Sequence, residues 1–203
     1  MPSMDRGTFS TSARSDLVEV GQRLYERALV RRDEELITDP RGKPIGWLLD
    51  TRVPSLDGEL FTEVGRVLAG RIRERGYSQV VGYGFGAHPL VCSVLAASSG
   101  DDRFKGGLIR EERKAHGRRR LVEGPVDRLE PVVLVDDIIN SGRSASEALS
   151  LLREAEFTVD GLLTLFNFTW SSGQSRIEAE GLWVDSLLDL NLQDGTSSSS
   201  DSV

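Results

Sequence analysis

The chain has 203 residues, 38% of them hydrophobic, which suffices for one globular domain with a sizeable core. Its net charge of −7 argues against a surface built mainly for nucleic acid. A single cysteine, Cys92, excludes an internal disulfide and a multi-cysteine metal site, and two histidines, His88 and His116, argue against structural zinc. No apolar run reaches the length of a membrane span, and residues 1–15 lack the apolar stretch of a secretory signal, so a cytoplasmic protein is expected.

In chain order, residues 1–14 are polar and are expected to form a disordered arm. From Asp16 to Arg31 the apolar positions Leu17, Val20, Leu24, Ala28 and Leu29 recur at helical spacing. Leu36 and Ile37 precede a turn at Pro40-Arg41-Gly42-Lys43-Pro44, and Ile45 to Leu49 reads as a strand. Leu60, Val64, Val67, Leu68 and Ile72 mark an amphipathic helix over Leu60 to Arg75. Val80 and Val81 then lead a short strand into a glycine-rich turn, Gly82 to Leu90, with a helix onward through Ala97. Glycine at alternate positions exposes backbone amides, so Gly84, Phe85, Gly86 and Ala87 are candidates for holding an anion such as pyrophosphate. His88 reads as a packing or loop residue.

Phe104 to Ile109 is a further short strand. The run Arg110 to Arg120 follows, with six Lys or Arg residues in an otherwise acidic chain. It is either a solvated hairpin tip, a nucleic-acid patch, or a cationic flap that closes over a diphosphate. Val132 to Val135 has the apolar, β-branched character of a strand buried on both faces. Asp136 and Asp137 come where that strand should emerge. Ile138 and Ile139 lead into the small polar loop Asn140-Ser141-Gly142-Arg143-Ser144, and a helix runs from Ala145 to Ala155. A strand over Gly161 to Phe168, a short helix over Ser171 to Glu180 and a last, edge strand over Leu182 to Leu190 complete the pattern. The tail from Gln193 is Ser-rich and acidic and is expected to be disordered. With no internal repeat and no linker, residues 15–192 form one α/β domain, a mainly parallel sheet flanked by helices with ligands beyond the strand C-termini.

A strand, an acidic pair, a small-residue loop and a helix N-terminus suit a sugar phosphate. Loop and helix amides face the phosphate, and two carboxylates remain to accept hydrogen bonds from ribose hydroxyls. This stretch resembles the phosphoribosyl-diphosphate (PRPP) signature of type I phosphoribosyltransferases, with Asn140 and Ser141 standing where two threonines are usual. The glycine-rich turn and the Lys114-Ala115-His116-Gly117 stretch with its later Glu123-Gly124 are similar to orotate phosphoribosyltransferases, and that likeness covers Leu24 to Leu190.

The resemblance implies a type I phosphoribosyltransferase fold with a small hood from the N-terminal segment. It further implies transfer of phosphoribosyl from PRPP to a base, nominally orotate, with Mg²⁺ bound on PRPP. Asp136 and Asp137 would hold ribose hydroxyls, and the segment from Ile138 to Ser144 the 5′-phosphate. Arg110, Lys114 and His116 would neutralise pyrophosphate, with Lys114 and His116 on a flap shared across a homodimer. Arg41, Lys43, Asn167 and Phe168 fall on the base side. Three positions depart from the family pattern: Thr38 replaces a Lys, Glu111 replaces a flap Lys, and Phe168 stands where an Arg contacts orotate. An aromatic ring can stack on a base but cannot pair with its carboxylate. Two alternatives therefore stay open: a PRPP- or nucleotide-binding regulator with little catalysis, and an RNA-binding regulator using Arg118 to Arg120, which the net charge disfavours.

Overall fold

A computed structural model describes residues 11–33, 35–38, 42–98, 103–110 and 120–191, with side chains from Val18 onward. Arg41, Glu111, Lys114, His116, Arg118 and Arg119 lie outside the described residues, as do residues 1–10 of the expected arm and the tail from 192.

Helix α1 spans Thr11–Ala28, beginning inside the expected arm, and the chain then turns into strand β1, Leu29–Arg31. The helical spacing predicted helix through Arg31; instead Leu29, Val30 and Arg31 pair antiparallel with Leu49, Leu48 and Trp47 of β2, Trp47–Leu49. The backbone N–H of Asp50 donates to the carbonyl of Ala28 at 2.7 Å, which closes the helix end and opens the hairpin. This two-stranded piece, with a bridge between Thr38 and Pro44, is the hood. A short helix α2, Arg52–Ser55, joins it to α3, Gly58–Glu74. Asp57 caps α3, its carboxylate accepting from the N–H groups of Glu59 and Leu60.

The main sheet has six strands in the order β5-β4-β3-β6-β7-β8. They are β3 (Gln79–Tyr83), β4 (Lys105–Ile109), β5 (Val122–Glu123), β6 (Val132–Ile139), β7 (Val159–Phe168) and β8 (Trp183–Leu190). All neighbours are parallel except β4 and β5. Helices α4 (Gly84–Ala96), α5 (Arg143–Glu154) and α6 (Gly173–Glu178) provide the crossovers. One face of the sheet packs Val80, Val133, Val135, Leu163, Leu165 and Phe166 against α1, α3 and α4. The other face packs Val81, Val132, Leu134 and Leu162 against α5 and α6. Both faces being covered explains why β6 and β7 read as continuous apolar runs rather than alternating ones.

The chain goes from β3 outward to β4, then returns to lay β6 on the other side of β3. That reversal opens a crevice beyond the C-terminal ends of β3 and β6, where α/β sheets hold ligands. The loops leaving both strands are the two that the sequence singled out.

Candidate active site

Strand β6 continues to Ile139, beyond the Val132 to Val135 run. Its last residues pair with β7, Asp136 opposite Thr164, Ile138 opposite Phe166 and Ile139 opposite Asn167. The acidic pair is thus held on the strand rather than on a loop after it. Asp136 is 8% exposed, and its Oδ1 accepts the N–H of Asp137 at 2.9 Å. Burial first, and the neighbouring charge of Asp137 second, hold its carboxyl well above the usual range. Asp137 faces the other way. Its Oδ1 accepts from the N–H of Ile138 at 2.9 Å, and its Oδ2 accepts from the hydroxyl of Thr51. Thr51 is 3% exposed, directly before α2 at the hood's exit.

The loop after β6 ends on Gly142, whose φ of 72° is left-handed and which stands as the N-cap of α5 without a side chain to cap it. The first intrahelical bond there is from Ser146 N–H to the Gly142 carbonyl, 2.9 Å. The amides of Arg143, Ser144 and Ala145 precede it in the first turn, where helix geometry leaves N–H groups for a ligand. Helix α6 buttresses this loop: a Cβ built on Gly173 would fall 2.0 Å from the Asn140 carbonyl oxygen. Asn140 to Ser144 are thereby presented as one cradle, with the acid pair at its base.

Across the crevice, α4 begins at Gly84 itself, with φ 80°. The predicted glycine-rich turn is therefore mostly strand end and helix start. Its glycines have separate tasks. Gly82 lies under Val91 and Ala87, whereas a Cβ on Gly86 would meet the Asp137 carboxylate at 2.4 Å. Gly86 thus lets α4 approach the acid pair. Ala87 is buried and Phe85 is 87% exposed. Gly84, Phe85, His88, Leu108, Ile109, Arg110 and Glu123 line a cleft of about 450 Å³. Arg110 lies 3.9 Å from Glu123 there, and the buried His88 Nε2 and Arg110 Nε have no hydrogen-bond partner among the described residues. A larger hollow of about 690 Å³ is lined by Lys105, Val122, Val126, Phe157 and their neighbours along the β5 edge of the sheet.

Of the residues that the resemblance assigned to the base, the structure separates Asn167 from Phe168. Asn167 is buried, and its Nδ2 donates to Gln174 Oε1 at 2.8 Å and to Asp189 Oδ1 at 2.9 Å, tying β7 to α6 and β8. Phe168, by strand alternation, shares a face with Phe166 on the α1 side. It stacks on Trp170 with centroids 4.5 Å apart, and Trp47 of the hood meets both rings edge-on at 6.1 and 6.5 Å. Lys43 is exposed in the hood turn beside the Thr38–Pro44 bridge. Thr51, Trp47 and Trp170 were not candidates from sequence. Only a rarity signal was available for the last two, since the chain has three tryptophans.

Strand topology, the crevice at the reversal and the strand–acid pair–loop–helix site together define a type I phosphoribosyltransferase. No family model matches the chain. The orotate phosphoribosyltransferase of Rhodopirellula baltica is 31% identical over 185 residues, covering 88% of this chain and 94% of that protein. That of Corynebacterium glutamicum is 29% identical over 188 residues, covering 93% and 97%. Among solved structures, the Mycobacterium tuberculosis orotate phosphoribosyltransferase superposes with a TM-score of 0.75 at 26% identity, covering 86% of this chain and 97% of that one. The chain belongs to the orotate phosphoribosyltransferase family, whose members are PRPP-dependent phosphoribosyltransferases. Among the described residues no helix is long and apolar enough to cross a membrane.

Proposed function

We propose that this chain transfers the phosphoribosyl group of PRPP to a ring nitrogen of a base, orotate being the acceptor its relatives name, and releases pyrophosphate. The observation that carries the reading is the placement of the acid pair and the α5 N-terminus opposite the α4 N-terminus, across the crevice at the strand reversal. In the reaction the bond from the anomeric carbon to the diphosphate oxygen breaks and a carbon–nitrogen bond forms, with both electrons of the broken bond leaving on pyrophosphate. Ile138 to Ser144 hold the 5′-phosphate, and Asp136 and Asp137 the ribose hydroxyls. Gly84 to Ala87, Arg110, Lys114 and His116 meet the growing charge on the leaving group.

Among the described residues no three His, Cys, Asp or Glu side chains come together as a metal site. Mg²⁺ would be carried on the PRPP diphosphate, with Asp136 and Asp137 acting on it indirectly through the bound substrate. Bound there, Mg²⁺ would neutralise the departing diphosphate. A cytoplasmic homodimer sharing the flap completes the proposal. The test is pyrophosphate release from PRPP and Mg²⁺ with a panel of bases. Turnover that falls about tenfold or more in Lys114→Ala supports it, by the 1.5–3 kcal/mol typical of a charge-assisted contact. Phe168 on the base side favours one second reading, a PRPP-binding regulator. It would bind PRPP and release no pyrophosphate with any base.

A further inference from the structure

Strand β5 is a partition only two residues long. Its side chains alternate across the sheet, so Val122 lines the hollow of about 690 Å³ while Glu123 lines the cleft that holds Arg110. The ladder ties the two sides together. Ile109 pairs with Val122 and Leu108 with Glu123, and the Arg110 N–H donates to the Leu121 carbonyl at 2.8 Å. The hollow has fixed walls. Gln79, fully buried, donates from Nε2 to the carbonyls of Asp127 and Glu130 at 2.9 and 3.0 Å, and its Oε1 accepts the Asp127 N–H at 2.6 Å. These bonds pin the loop after β5. In that loop Arg128 donates from Nε to the Ala155 carbonyl at the end of α5, 2.7 Å away, and its guanidinium lies over Phe157, 5.4 Å from the ring centroid. Lys105 enters the hollow from the start of β4, and Arg120 from the chain just before β5. Three carboxylates line it as well. Asp127 Oδ1 accepts the Leu129 N–H within its own loop at 3.0 Å, and Glu154 and Glu156 stand at the end of α5.

We propose that this hollow is an effector site for a mononucleotide, that Lys105, Arg120 and Arg128 hold its phosphate, and that its occupation is passed through β5 to Arg110. The volume falls within the range of about 300–1,000 Å³ usual for small-molecule sites. Guanidinium and ammonium groups suit a phosphate. Val126 and Phe157 supply apolar surface for a ring, and the carboxylates at the end of α5 can accept from the N–H and O–H groups of a base or sugar. A bare phosphate has no such groups, and a purely anionic ligand would meet those carboxylates unfavourably. A ligand that grips Arg120 holds the chain one residue before Leu121, whose carbonyl receives the Arg110 N–H. Arg110 is the residue assigned above to pyrophosphate, so the effect on rate rests on the transferase reading, whereas the binding does not.

The experiment saturates the full chain with PRPP and Mg²⁺, so that the crevice is filled, and follows UMP, AMP and inorganic phosphate by equilibrium dialysis. The expected result is one mononucleotide bound per chain, about tenfold or more tighter than phosphate. Lys105→Ala and Arg120→Ala, with folding checked by circular dichroism, should each weaken that binding about tenfold. Lys105→Ala should leave PRPP affinity unchanged when no nucleotide is present. No binding of either nucleotide at millimolar concentration overturns the proposal. So does binding that falls in proportion as PRPP is raised, that phosphate matches in strength, or that both substitutions leave unmoved. In pyrophosphate release the bound nucleotide should change kcat/KM for PRPP about fivefold or more, and Lys105→Ala should abolish the change. A rate indifferent to a nucleotide that does bind overturns the effector role. If no base turns over, the transferase reading fails, and the dialysis by itself then upholds or overturns the site.

Discussion

Asp136 and Asp137 are adjacent in the chain and opposite in circumstance. Asp136 is buried with its charge opposed by its neighbour, so its carboxyl keeps a proton to higher pH than in the unfolded chain. The folded state then binds more protons, and stability falls as pH rises from about 4 through the raised folded value. Asp136→Asn should remove that slope. Urea unfolding from acid to mildly alkaline pH should show the variant gaining on the parent toward the alkaline end, while activity drops. Asp137 instead depends on a partner from another element, the Thr51 hydroxyl. Thr51→Val leaves a carboxylate oxygen without that donor and should lower kcat/KM by roughly 10- to 100-fold, the worth of a hydrogen bond to a charged group. Thr51→Ser should restore most of it. Equal losses in both variants would mean that packing, not the hydroxyl, matters at this position.

At the scale of elements, α3 was legible because its stripe is regular. Leu60, Val64, Val67, Leu68 and Ile72, read from spacing alone, are all buried. Gly70 sits inside this helix with nothing within 4 Å of an added Cβ. Gly70→Ala should stabilise the fold by about 0.5–1 kcal/mol in denaturant titration, with turnover unchanged. Gly173 is the contrasting case. Its added Cβ would strike the Asn140 carbonyl, so Gly173→Ala pushes α6 off the signature loop. PRPP affinity should fall by about tenfold, an order typical of a cradle displaced by an ångström. The helix that was expected to include Leu29 to Arg31 ends at Ala28 because the strand partner, Trp47 to Leu49, is remote in sequence. Periodicity has no access to such a partner.

For the whole molecule, a flap shared across a homodimer makes a distinct prediction. The protein should elute at twice the 22.3 kDa chain mass in light scattering. Chains carrying Lys114→Ala, weakened alone, should regain activity when mixed and re-equilibrated with Asp137→Asn chains, since one site in a mixed dimer is then intact. A mixture as inactive as its parts would place the flap over its own subunit's site.

The sequence alone determined the parts that are local and strongly patterned. Strand, acid pair, glycine and helix start are contiguous from Val132 to Glu154, and their chemistry is written in residue types that do not depend on context. The alternation of apolar strands with amphipathic helices likewise prescribed a parallel sheet covered on both faces. Tertiary structure decided what those parts meet. It moved Asp136 and Asp137 onto the strand, because β7 supplies pairing as far as Asn167. It brought Thr51 to Asp137 across 86 residues, and Gly86 against the same carboxylate. It sent Asn167 into the network of α6 and β8 while gathering Trp47, Phe168 and Trp170 from the hood and the end of β7. Contacts between residues so far apart are set by how helices and sheet close over a common core, and no spacing along the chain encodes them.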